Sequence, residues 1–128
     1  MRVPGFLVRR FYVAGSLRNT PTGFQLQAHN DMGEGMLVGV QRIRVDGVDV
    51  DLSATSATRD GVDGSIRASD ISRASPVPIH RGERVTLHIT GQRLSVGRHE
   101  LDVELVERDL GALQLTIDET VAADPATA

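Results

Sequence analysis

The segment QRIRVDGVDVDL, residues 41–52, leaves little choice of local structure. Asp46-Gly47 is a pair that tolerates positive φ, and it joins two runs in which apolar and charged residues alternate. That is the signature of a β-hairpin with a two-residue turn. The register sets Val45 opposite Val48 and Ile43 opposite Val50 on the buried face. It sets Arg44 opposite Asp49 and Arg42 opposite Asp51 on the other face. Opposite charges across strands contribute about 0.2–1 kcal/mol per pair. Turn, period and charge agree, so these four charges are read as a solvated sheet face and not as an active site.

The same period of two recurs along the chain. FQLQAH places Phe24, Leu26 and Ala28 on one face and Gln25, Gln27 and His29 on the other. RVTLHIT turns Val85, Leu87 and Ile89 inward, HELDVEL turns Leu101, Val103 and Leu105, and ALQLTID turns Leu113, Leu115 and Ile117. FLVRRFYV near the N-terminus alternates less cleanly and is read as an edge strand or an arm. Residues 53–83, rich in Ser, Ala, Thr, Asp and Gly, are expected to form loops with at most one short strand near Ser65–Ser69. No helix, repeat or second domain is expected. The expected fold is all-β, a single-domain antiparallel β-sandwich of immunoglobulin-like or jelly-roll-like kind. It spans residues 1–118, with 1–14 as an N-terminal strand or arm and 119–128 as a disordered tail. LSVGRHEL resembles the strand start of immunoglobulin-like domains, with His99 where the corner tyrosine sits. An imidazole there is expected to bond to backbone and fix the corner.

Composition narrows the function. A chain of 128 residues can bury a sizeable core without crosslinks. The absence of cysteine removes a disulfide framework, a thiol nucleophile and a thiolate ligand. A net charge of -3 with no basic run argues against nucleic acid. All 14 basic residues are arginine. No apolar run approaches the roughly 20 residues of a membrane span. MRVPGFLVRRF lacks the apolar h-region and cleavage site of a signal peptide, so a cytoplasmic location is expected. With 3% aromatic residues and no Trp, the core must be Val, Leu and Ile. Carbohydrate stacking has little aromatic platform to use.

Of the four histidines, His99 is read as structural, His88 as solvent-facing and His80 as a loop residue. His29 has company, because HNDMGE adds Asp31 and Glu34. Imidazole and two carboxylates are ligand types for a divalent metal. The spacing fits no established metal motif, and no metal ligand is assigned. There is no Gly-x-Ser-x-Gly elbow, P-loop or dinucleotide glycine motif, and no catalytic residue is assigned. The residues support binding rather than autonomous catalysis. Strand ends and their loops are where sandwiches present function. Arg18, Asn19, His29, Asn30, Asp31 and Glu34 are therefore expected to face a partner or a substrate.

The order GSLRNT, GFQL, VDG, RGERVTLHI and LSVGRHELDVEL, over residues 15–118, resembles the β-subunit family of bacterial C-glycoside deglycosidases. The resemblance implies an accessory subunit that pairs with a larger TIM-barrel α-subunit, with a higher hetero-oligomer possible. That α-subunit would carry a divalent metal, manganese, and the acid–base residues; this chain would carry no cofactor. The complex would cleave the C–C bond between a 3-oxo sugar and an aromatic aglycone, as a lyase. The chain departs from the family where NDMGEGMLVGV replaces a segment of the form Pro-Tyr-Tyr-Arg-Gly. Two other readings stand beside it: a self-associating β-sandwich and a sugar-binding module.

Overall fold

The structure, a computed structural model, describes residues 1–123. Its strands are β1 (Arg18–Thr20), β2 (Gly23–His29), β3 (Gly35–Val45), β4 (Val48–Asp49), β5 (Thr55–Arg59), β6 (Ile66–Arg67), β7 (Val77–Ile79), β8 (Arg84–Thr90), β9 (Gly97–Glu107) and β10 (Gly111–Val121). They form two antiparallel sheets, in the orders β1-β2-β8-β5-β6 and β10-β9-β3-β4, with β7 also paired to β3. The fold is an all-β sandwich, as the alternation requires. The inward residues read from the period of two form the core, with Ile43 and Leu101 fully buried.

The hairpin forms as expected. Asp46 and Gly47 have φ of 51° and 81°, and Val45 pairs with Val48 and Arg44 with Asp49. Two details differ. Val48 is exposed, because β4 is a two-residue edge strand with nothing packed over it. Asp51 does not meet Arg42. Its carboxylate instead accepts the Ser53 N–H at 2.9 Å and hydroxyl at 2.6 Å, starting a 3-10 turn at Leu52–Ala54. Asp49 takes both arginines, Arg44 at 2.9 Å and Arg42 at 3.5 Å.

Residues 53–83 hold more structure than the sequence suggested: β5, β6, β7 and a 3-10 turn at Ala68–Asp70. The inward residues of β5 are Thr55 and Ala57, which are small and weakly apolar, so the period was faint. β3 begins ahead of QRIRV because two bulges interrupt its alternation against β9, between Leu37 and Gly39 and between Val40 and Arg42. A regular strand would put Leu37 and Val40 on opposite faces. The extra residues bring both to the inner side.

The N-terminal segment is neither one strand nor a loose arm. Arg2 bridges Gln114 of β10, Gly5–Arg10 is a 3-10 helix, and Tyr12 bridges Ala28 of β2. It thus covers parts of two sheet edges that would otherwise be open. At the C-terminus the expected tail begins inside a strand: 119–121 belong to β10, 122–123 follow it without regular structure, and 124–128 lie outside the described residues.

Tyr12 is 4% exposed, and its hydroxyl has no hydrogen-bond partner among the described residues. Burial pushes the phenol up to about 12 against the lowering effect of the nearby Ser16 hydroxyl, and the Glu119 carboxylate acts in the same direction as burial. An unpaired buried hydroxyl costs about 1–3 kcal/mol. Tyr12→Phe is therefore expected to raise stability by about 1 kcal/mol in urea unfolding. A loss of stability would show that the hydroxyl is satisfied in solution.

Candidate functional site: an apolar cavity between the sheets

One end of the sandwich is hollow. A cavity of about 330 Å³ opens where β2 ends, β8 begins, β3 begins and the β9–β10 turn closes. Its walls are Ala28, Leu37, Val40, Val85, Leu87, Val103, Leu105, Leu113 and Leu115, with Phe11 from the N-terminal segment. Most of these were read from the sequence as core. At this end the side chains are short enough, and the bulged β3 bends enough, that the two sheets do not close on each other. Low aromatic content, which fixed the core as aliphatic, also leaves the space unfilled.

The loop Asn30–Gly35 forms one lip of the opening, and its side chains fan outward to different anchors. His29 donates from Nε2 to the Arg9 carbonyl at 2.8 Å. Asp31 pairs with Arg10 at 3.4 Å, while its N–H bonds the Arg10 carbonyl at 3.0 Å. Glu34 accepts from His80 Nδ1 at 2.6 Å, and this bond, with that from the Arg81 N–H, holds its carboxyl below the usual range. The Asn30 carbonyl accepts the Gly82 N–H at 3.0 Å, and its side-chain oxygen accepts the Met32 N–H at 3.0 Å. The loop is thus tied to the N-terminal 3-10 helix on one side and to the 80–82 turn on the other. That turn is held in place by Arg59, which grips Glu83 at 2.7 and 3.3 Å.

The opposite lip is the β9–β10 turn. The Glu107 carboxylate accepts the N–H groups of Met36 at 2.9 Å, Asp109 at 2.8 Å and Leu110 at 2.9 Å. Desolvation pushes this carboxyl up, but the three backbone donors outweigh it, and it is held below the usual range. Glu107 thereby clamps the turn to β3 across the mouth. Sequence reasoning passed over Glu107, although an acidic residue just before a turn is a common backbone acceptor. It also passed over Met32 and Leu110. These are apolar residues in polar turns, 59% and 54% exposed, that line the opening.

His29, Asn30 and Glu34 of the expected site line the cavity, and Asp31 sits in the same loop. Arg18 and Asn19 are not brought to them. They pair with Gln25 and Phe24 near the start of β2, four and five residues before His29, about 13–17 Å at the usual rise. Asn19 is occupied in bonding the Leu94 carbonyl at 2.8 Å and N–H at 2.7 Å. Arg18 lies 3.0 and 3.1 Å from the Gln25 amide, oriented with its oxygen accepting. Among the described residues no group of three or more His, Asp or Glu is placed to hold a metal ion. His29, Asp31 and Glu34 diverge to separate anchors, which explains why their closeness in sequence makes no cluster. No helix among the described residues is long and apolar enough to cross a membrane.

Fold and site together define a β-sandwich with a small-molecule-sized apolar cavity between its sheets. Over residues 7–122 the sequence matches the family described as Hydroxymethylglutaryl-CoA reductase, N-terminal domain, and the chain belongs to that family. No curated protein matches it. The family match overturns the resemblance to C-glycoside deglycosidase β-subunits. The motifs behind that resemblance have structural explanations. VDG is a hairpin turn, RGERVTLHI is the approach to β8 and its strand, and GRHEL is a histidine-fixed corner. They specify a sandwich rather than one family. With the resemblance goes the ground for a manganese-bearing barrel partner and for C–C bond cleavage.

Proposed function

We propose that this chain is a binding domain rather than a catalyst, and that it holds an apolar small molecule between its sheets. The observation that carries this reading is the 330 Å³ cavity, walled by aliphatic side chains and edged by the Asn30–Gly35 loop and the Glu107 clamp. The family name describes an N-terminal domain of a reductase, which fits a module that binds while another unit performs chemistry. Sugar binding fits less well, because Phe11 is the sole aromatic residue of the lining. Self-association through sheet edges also fits less well. β1, β4 and β6 are two or three residues long, and the N-terminal segment covers parts of the β2 and β10 edges.

The test is titration with the uncharged ten-carbon fluorophore 1-aminonaphthalene, followed by its emission and by thermal unfolding. Binding should shift the emission to the blue. Saturation near a hundred times Kd should stabilise the fold by about 2.7 kcal/mol. Leu105 lines the cavity beside its cross-strand partner Val40, so Leu105→Trp should fill the space and weaken binding at least about thirtyfold, a loss of about 2 kcal/mol. Absence of binding, or binding that ignores Leu105→Trp, would overturn the reading.

A further inference from the structure

We propose that the cavity selects an uncharged apolar molecule carrying one hydrogen-bond-accepting oxygen (a ketone, ester or alcohol), with the Asn30 side-chain nitrogen as its donor. This rests on the cavity reading above and specifies its ligand.

Size comes first. An apolar cavity of about 150 Å³ holds one benzene. The 330 Å³ here is about twice that and accommodates on the order of ten carbon atoms. The walls offer no polar group to a ligand's interior part, so that part must be hydrocarbon.

The mouth supplies the polarity. The Asn30 side-chain oxygen is committed to the Met32 N–H, while its Nδ2 has no partner among the described residues. Asn30 is half-buried and lines the opening. Gly35 is what makes room for this amide, because a Cβ at that position would stand 2.7 Å from Nδ2. This amide N–H₂ is open at the mouth of the cavity and can donate to an oxygen on a bound molecule.

Charge decides the rest. Glu34, Glu107 and Asp109 line the opening, whereas no arginine does. Two nearby arginines are already paired, Arg10 with Asp31 and Arg108 with Asp109. A ligand carboxylate would meet three carboxylates in a lining that holds no arginine. A ligand ammonium would find both oxygens of Glu107 occupied by backbone donors. A neutral acceptor suits the site, and the Asn30 amide can donate to it.

Three probes of one bicyclic ten-carbon frame separate these ideas: tetralin, tetralone and tetrahydronaphthoate. Calorimetric titration of the full chain should show tetralone bound at least tenfold more tightly than either of the others. Asn30→Asp keeps an oxygen for the Met32 N–H but removes the donor. It should abolish the tetralone advantage over tetralin. Should that variant fail to fold, Gly35→Ala provides the second arm, since it displaces the amide and should also cost tetralone tenfold. Equal affinities for tetralin and tetralone would overturn this inference and leave the cavity reading standing. So would a tetralone affinity indifferent to the folded variant. If none of the three probes binds, both fall.

Discussion

Replacing Gly23 by alanine is expected to cost about 3 kcal/mol or more, a large share of the stability of a domain this size. Gly23 opens β2 directly after the Pro21-Thr22 turn and pairs with both Thr20 and Thr90. A Cβ there would stand 2.0 Å from the Ile89 carbonyl oxygen and 3.0 Å from the Gly91 nitrogen. Neither atom is the end of a flexible side chain. To admit a methyl group, β2 and β8 must part at the centre of their sheet. The bond from the Gly91 N–H to the Thr22 carbonyl, 2.9 Å, would be disturbed with them. Gly39→Ala supplies the contrast. Its Cβ would meet only the Val106 side chain, at 3.7 Å, so the change should lie within about 1 kcal/mol of neutral. Thermal unfolding of the pair separates the two cases, with Gly23→Ala falling by about 10 °C or more and Gly39→Ala by little. Equal midpoints would mean that the β2–β8 contact relaxes more easily than a backbone contact should.

Those two glycines show where the sequence stops being informative. Both sit in strands beside apolar residues, and nothing local distinguishes them. The difference lies in what the opposite strand brings within 4 Å. Features governed by neighbours in the chain were legible: the Asp46-Gly47 turn, the inward faces of β2, β8, β9 and β10, and the structural role of His99. Features set across long sequence distances were not. The cavity exists because residues near 28, 40, 87, 105 and 115 fail to fill one space, and no local period encodes a shortfall. The bulges of β3 hid its first half by breaking the alternation that defines a strand. The expected site was half assembled for the same reason. His29 ends β2 and Asn30 and Glu34 lie in the loop that follows it, so they share a place, while Arg18 and Asn19, close in sequence, sit at the far end of β2. An antiparallel hairpin places residues just before its turn opposite those just after it, so distance along β2 separates the two groups.

The stability of the fold is expected to fall as pH rises above neutrality, and His99 is the reason. Its ring is 7% exposed at the start of β9. Nδ1 donates to the Asp46 carboxylate at 2.6 Å and Nε2 to the Ser95 carbonyl at 2.7 Å. Both partners are acceptors, and a neutral imidazole has one N–H, so making both bonds requires the imidazolium. The Ser95 carbonyl and then Asp46 raise the His99 pKa above 6.5, against the opposing effect of burial. A group whose pKa is higher in the folded state contributes fully below its unfolded pKa. That contribution is lost as pH climbs through the folded value. Asp46 works in the other direction. The Glu100 N–H and then His99 hold its carboxyl below 3.8, so its contribution is lost only as pH falls through that lowered value. The pair is therefore strongest in mildly acidic solution, between the two. His99→Gln keeps a single N–H₂ donor and removes the titration. At pH 6 it should cost on the order of 2 kcal/mol, since hydrogen bonds to charged groups contribute about 1.5–3 kcal/mol each. The gap between the variant and the natural chain should narrow as pH rises from 6 to about 9. Urea unfolding across that range measures it. Parallel curves would mean that His99 holds its corner as a neutral ring, with one of the two short contacts formed as something other than a hydrogen bond.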